Sequence, residues 1–175
     1  MKTWKEVLTG LLIASVIIGG TYSYFAYGYG TLVVEIMDPP EHWGPASKVY
    51  IHYSAIMIHR ADAGNESGWF TAVQSDGWID LSEVLNVSKA IGQGSLQAGL
   101  YNLIRFNVTE AIIDVNGENK TATVESGMLN VPITRSGIQV KAGQTVYLVI
   151  DITPRVVGSE AQGFRVVPAA RALPA

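Results

Sequence analysis

Leu96-Gln-Ala-Gly-Leu-Tyr-Asn-Leu-Ile-Arg-Phe-Asn-Val108 is the stretch on which the fold class turns. Its second half alternates. Ile104, Phe106 and Val108, with Leu100, fall on one side of an extended chain; Arg105, Asn107 and Thr109 fall on the other. A helix would scatter the same side chains around its axis. The segment therefore reads as a half-buried strand.

Similar patterns flank it. Thr31 to Met37 is a strand stopped by Asp38-Pro39-Pro40, because proline cannot continue a central ladder. Lys48 to Arg60 is a long strand, with Val49, Ile51, Tyr53, Ala55 and Met57 expected on its core face. Trp69 to Val73 returns across the turn Ala61 to Gly68. Gly77 to Leu81 is a short strand or bend, and Leu81, Val84 and Leu85 have the spacing of a helical turn. Ala111 to Val115 pairs with Thr121 to Glu125 across Asn116-Gly117-Glu118-Asn119. Leu129 to Thr134, Ile138 to Val140, Val146 to Ile152 and Phe164 to Pro168 follow. Ala169 to Ala175 is expected to be a loose tail. Eight or nine short strands define an all-β sandwich domain over residues 28–172.

Residues 1–27 are different. Lys2 and Lys5 precede a segment with no charge between Glu6 and Glu35. From Val7 to Tyr27 it is long enough to cross a bilayer as a helix. Tyr22, Tyr24, Phe25, Tyr27 and Tyr29 would form an aromatic belt at the far interface, and the two lysines orient the following domain outward. A retained anchor is favoured over a cleaved signal, because large aromatics stand where a cleavage site wants small residues. A buried core helix is the weaker rival, since no polar face exists to meet water.

Composition narrows the function classes. The 175 residues carry a net charge of -3 with 15% charged residues, and there is no basic run for nucleic acid. With no cysteine there is no disulfide framework, thiolate metal site or cysteine nucleophile. Of seven Asn, four carry the N-glycosylation pattern: Asn65, Asn86, Asn107 and Asn119. Chance predicts about one. Export is the shared reading of the sequons and the apolar segment.

Leu96-Gln-Ala-Gly99-Leu-Tyr101 resembles the Leu-x-x-Gly-x-Tyr entry of transthyretin-like and carboxypeptidase-regulatory-like sandwiches. That resemblance implies a Greek-key fold and a tyrosine corner, in which Gly99 permits the turn and the Tyr101 hydroxyl bonds back to the backbone. Further segments follow in order: Gly30 to Pro40, a strand ending Ile-Met-Ile-His59, Gly68-Trp69, Ile79-Asp80-Leu81, Ala142-Gly143, and Gly163 to Arg171. Together they resemble the family of domains of unknown function numbered 4382, found in exported and cell-envelope proteins of archaea and bacteria. Met37-Asp38-Pro39-Pro40 departs from its more usual Thr-Asp-Ala-Pro, and a Gln74-to-Gly77 turn is extra. The resemblance implies fold and location and supplies no catalytic residue. Sequons on a cysteine-free chain fit an archaeal cell surface.

No residue set commits the chain to catalysis. His42, His52 and His59 lack a Gly-x-Ser-x-Gly elbow. His52 and His59 fall on opposite faces of a regular strand and share a metal only if a bulge intervenes. Asp62-Ala-Gly-Asn65-Glu66 offers loop oxygens without the spacing of a calcium loop. Asp76, Asp80, Glu83, Asp114 and Asp151 are scattered. Trp43, Trp69 and Trp78 suit a sugar platform or, more simply, core and loop anchors. There is no cofactor motif. The expectation is a non-enzymatic surface module attached to the membrane through its N-terminal segment. A filament subunit completing its neighbour's sheet is the first alternative, with Tyr22 to Met37 or the C-terminal strand as the donor. A carbohydrate- or calcium-binding surface protein is the second. A hydrolase, the least favoured reading, requires a concave pocket holding a His bonded to Ser or Asp.

Overall fold

The computed structural model describes residues 3–38, 43–64, 67–74, 76–124 and 127–175. Lys2, Pro39, Pro40, His42, Asn65, Glu66 and Glu125, which figure in the sequence reading, lie outside them. One helix, α1 (Trp4–Tyr27), precedes eleven strands. Glu6 accepts the Thr3 backbone N–H at 3.0 Å and closes the first turn. Trp4–Phe25 is long and apolar enough to cross a membrane, and none of it is buried. The buried-core-helix reading is thereby overturned. Three hydroxyls of α1 are tied back to the helix backbone. Thr9, Ser15 and Thr21 each donate to the carbonyl four residues earlier, at 3.0, 2.9 and 2.8 Å. These bonds satisfy the three hydroxyl donors within the helix itself.

The strands are β1 (Tyr29–Met37), β2 (Lys48–Arg60), β3 (Trp69–Val73), β4 (Gly77–Asp80), β5 (Lys89–Gln97), β6 (Gly99–Val115), β7 (Glu118–Val124), β8 (Met128–Pro132), β9 (Ile138–Val140), β10 (Thr145–Ser159) and β11 (Gly163–Pro174). They form one sheet in the order β3-β2-β6-β7-β11-β10-β1-β5; β4 lies beside β2, and β8 and β9 lie beside β6. The fold is thus all-β with a single N-terminal helix. The two layers of the expected sandwich are not separate sheets, because a short parallel pairing of β7 with β11, Phe164↔Ala122 to Val166↔Val124, joins them. Side chains from both halves share one core, among them Leu32, Ile36, Ile51, Phe106, Ile113, Leu148 and Ile150.

Strands β3 and β5 end the hydrogen-bonded path, yet they touch. A Cβ placed on Gly94 would stand 1.8 Å from the Ala72 carbonyl oxygen, and one on Gly92 2.3 Å from a Val73 methyl. Glycine is needed there because another backbone passes over the strand. The sheet curls until its ends meet.

Bulges do the curling. In β2, Val49, Ile51 and Tyr53 are buried as expected, but beyond a register shift between Tyr53 and Ile56 the phase changes. Ile56 and Ile58 are fully buried, whereas Ala55 and Met57, expected in the core, are only half-buried. In β6 the buried positions run Tyr101, then Ile104, Phe106 and Val108, then Ala111, Ile113 and Val115. Leu100, expected inside, is 41% exposed, and Tyr101 takes its place. Each bulged residue bends its strand and shifts the alternation by one.

One further expectation is met and one changes. The helical turn expected at Leu81, Val84 and Leu85 is a single 3-10 turn, Leu81–Val84, and β5 begins at Lys89. The supposed tail is the second half of β11, with Ala172 fully buried and paired with Ile150. Arg171 reaches across to the buried Asp151, Nε to carboxylate oxygen 2.6 Å.

Candidate functional site

Polar chemistry gathers on the outer face of β2 and β6. His52 points outward from β2. Its Nε2 lies 2.6 Å from Asp76 Oδ1, and its Nδ1 lies 2.5 Å from Thr109 Oγ1 on β6. With Asp76 accepting from the Nε2–H, Nδ1 is left to face the threonine hydroxyl. Trp78, the cross-strand partner of His52 on β4, sets its ring 5.0 Å away and is 47% exposed. One step along β6, Asn107 donates its side-chain N–H to Ser54 Oγ at 2.7 Å.

The far end of β2 repeats the theme. Trp69 stands opposite His59, with ring centroids 4.9 Å apart. Arg105 lies over the Trp69 ring at 4.1 Å. His59 is buried; its ring nitrogens approach Gly64 O at 3.0 Å and Asn102 Oδ1 at 3.4 Å. The bulge between the two histidines puts both on the outer face, contrary to the regular-strand expectation. Seven residues of strand still separate them by roughly 20 Å, so they share no ion. Among the described residues no three His, Asp or Glu side chains come together as a metal site.

The aspartate–histidine–threonine chain has the connectivity of a nucleophile, a base and an orienting acid. Thr109 sits on an open strand face. Two adjoining shallow clefts lie elsewhere, between the β6–β7 and β10–β11 hairpins, lined by Lys120, Glu160, Phe164 and Arg165 among others. His52 lines neither of these two clefts.

Most of the other candidates have local structural duties. Asp80 caps the 3-10 turn, accepting from Ser82 N–H and Oγ–H at 2.9 and 2.6 Å. Glu83 pairs with Lys89 at 2.8 Å, and Asp114 holds Ser47 and the Gly117 N–H. Both Asp62 oxygens meet Arg60 at 2.9 Å. That guanidinium holds the Asp62 carboxyl below the usual carboxylate range; Asn65 and Glu66 of the same loop lie outside the described residues. Trp43 is buried, donating Nε1–H to Asp38 at 2.9 Å, so it anchors a loop and forms no part of a platform.

The tyrosine corner is present. Tyr101 is fully buried and its hydroxyl donates to the Gln97 carbonyl at 2.8 Å. Burial pushes its pKa above the ordinary tyrosine value, opposed by the neighbouring Arg60. Gly99 does not serve through a left-handed turn; a Cβ there would rest against the Arg60 guanidinium at 3.4 Å. Of the sequons, Asn86 is exposed at a left-handed turn (φ 58°) and Asn119 is exposed on β7. Asn107 is half-buried, its amide occupied by Ser54 and its Thr109 by His52. Sequence reasoning missed the His52 cluster, since the pairing of His52 with Thr109 depends on a bulge that no local pattern announces.

Fold and surface together define an all-β domain carried behind one exposed apolar helix. The family model described as "Domain of unknown function (DUF4382)" matches residues 29–167, and the chain belongs to that family. The match begins at the first residue of β1 and leaves α1 outside it. No curated protein and no solved structure matches the chain.

Proposed function

We propose that this protein is a membrane-tethered, extracytoplasmic β domain acting as a non-enzymatic structural or interaction module of the cell envelope. The exposed apolar helix carries this reading: a 22-residue surface of that kind is stable in lipid and costly in water. β10 then extends outward for 15 residues, roughly 45 Å. The β6–β7 and β10–β11 hairpins, with the exposed sequon at Asn119, stand far from the helix and form the displayed end. The test is extraction of native membranes at alkaline pH, with intact-mass measurement and external protease on whole cells. Retention of residues 1–27 in the pellet, with the β domain digestible from outside, is the expected result. A chain lacking that segment and found in the medium would overturn the tether.

Strand donation to a neighbour is less favoured. Both proposed donors are already used at home: β1 lies between β10 and β5, and β11 between β10 and β7. Carbohydrate binding is the second reading, favoured by the half-exposed Trp78 ring beside His52, Asp76 and Thr109. Stacking of a sugar on that ring predicts a change in tryptophan fluorescence that Trp78→Ala abolishes; silence across a glycan panel counts against it.

A further inference from the structure

The base of the β domain adjoins the end of the helix with almost no slack. Only Gly28 separates α1 from β1, and its N–H donates to Tyr24 O at 2.8 Å, still inside the helical ladder. Two other chain segments grip this junction. Ala98 N–H donates to Gly28 O at 2.7 Å, Gly143 N–H to Tyr29 O at 2.8 Å, and Thr31 N–H to Gln144 O at 2.8 Å. A Cβ on Gly28 would stand 2.3 Å from Tyr24 O and 2.7 Å from the Ala142 Cβ, and one on Gly143 would stand 2.9 Å from the Tyr24 hydroxyl. The turn between β9 and β10 is therefore packed on the helix at the level of Tyr24, one residue inside the end of the apolar span at Phe25.

We infer that this end of the domain is a lipid-contacting seat, occupied by the phospholipid headgroup layer. The inference rests on reading α1 as a membrane span and goes further: the domain is held down on the bilayer and does not swing above it. If Phe25 ends the hydrocarbon span, residues 141–144 and Tyr29 lie at headgroup depth by packing alone. Their chemistry suits that layer. Tyr22, Tyr24, Tyr27 and Tyr29 are each more than half exposed, and amphipathic rings gather where hydrocarbon meets water. Lys141 is exposed on the same turn and offers its ammonium to a phosphate. Arg60, also at this end, is engaged by Asp62 and Gln97 and is not counted.

A cysteine-free chain makes the test direct. Gln144→Cys and, at the opposite end, Asn116→Cys each accept one nitroxide. The full chain is reconstituted in vesicles of phosphatidylcholine and phosphatidylglycerol in equal parts. Collision with a water-soluble nickel relaxant is then measured at each label. Position 144 is expected to be several-fold less accessible than position 116. Gly28→Ala, which forces the junction apart, should raise access at 144 while the melting transition of the β domain persists. Lys141→Glu should raise it in the same direction. Equal access at 144 and 116 in a protein that floats with the vesicles would overturn the seat and leave the anchor standing. A protein that does not float would overturn both.

Discussion

Strands β1 and β6 obey the same period-two rule and use it differently. β1 is nine residues long and buries Gly30, Leu32, Val34 and Ile36 without a break. β6 is 17 residues long and changes phase twice, between Tyr101 and Ile104 and again between Val108 and Ala111. A short central strand can stay straight and keep its alternation; where its pairing with β5 shifts, between Val34 and Glu35, the extra residue is Ile91 of β5. β6, nearly twice as long, bends to follow the core, and it does so with an extra residue at each corner. Alternation is thus dictated locally, whereas the places where it slips are dictated by what the strand wraps around.

Removing one residue from each strand gives the sharpest contrast. Deleting Val33 would turn Val34 and Ile36 outward and aim Glu35 at the core; no cooperative unfolding transition should remain by circular dichroism. Deleting Glu110 would take out one of two consecutive outward positions, leaving Ala111, Ile113 and Val115 inward, and a folded protein with a lower midpoint is expected. If both deletions were equally damaging, the bulge would be an essential pairing element and not a bend. Next in size, Phe106→Ala in the middle phase of β6 should cost about 3–5 kcal/mol in urea unfolding. Gly94→Ala tests the closure of the sheet. Its new methyl meets the Ala72 carbonyl, and a loss of about 1–3 kcal/mol is expected. A smaller effect would mean that β3 lifts away from β5 freely. Smallest is Tyr101→Phe, at about 1 kcal/mol for the hydrogen bond to Gln97. The Tyr101 pKa is raised in the fold, so its contribution is complete below the unfolded tyrosine value of about 10. It is lost as pH rises through the folded value. The wild-type midpoint should therefore fall more steeply than that of Tyr101→Phe on the alkaline side.

Much of the fold was legible for the reason β1 was. Leu32, Val34 and Ile36, and Leu148, Ile150 and Ile152, announce a buried face in any two-residue window. The Asn116-Gly117 turn, with positive φ at both residues, tightened the expected hairpin by bringing Glu118 and Asn119 into β7. Three elements were hidden. β5 carries no strand signal because Gly92 and Gly94 replace the side chains that would have marked it. The end of β11 reads as tail because Pro168, Ala169, Ala170 and Ala172 are small or ring-locked, and their value lies in pairing with β10. The second half of β2 reads inverted because its bulge answers to β6. The site suffered most. Tyr101 was found, since a corner is local in sequence. Asp76, His52 and Thr109 were seen separately and never as one chain, because only the register of β2 against β6 and β4 joins them.

The parallel neighbour of β1 has a mechanical consequence. The helix joins β1 at its N-terminal end, and the β10–β11 hairpin projects from the opposite end of β10. A pull applied between the helix and the β10–β11 hairpin would draw β1 and β10 past each other along their length. The seven pairs from Thr31↔Thr145 to Met37↔Asp151 would bear that shear together, with β5 bracing the other edge of β1, and none could be peeled open first.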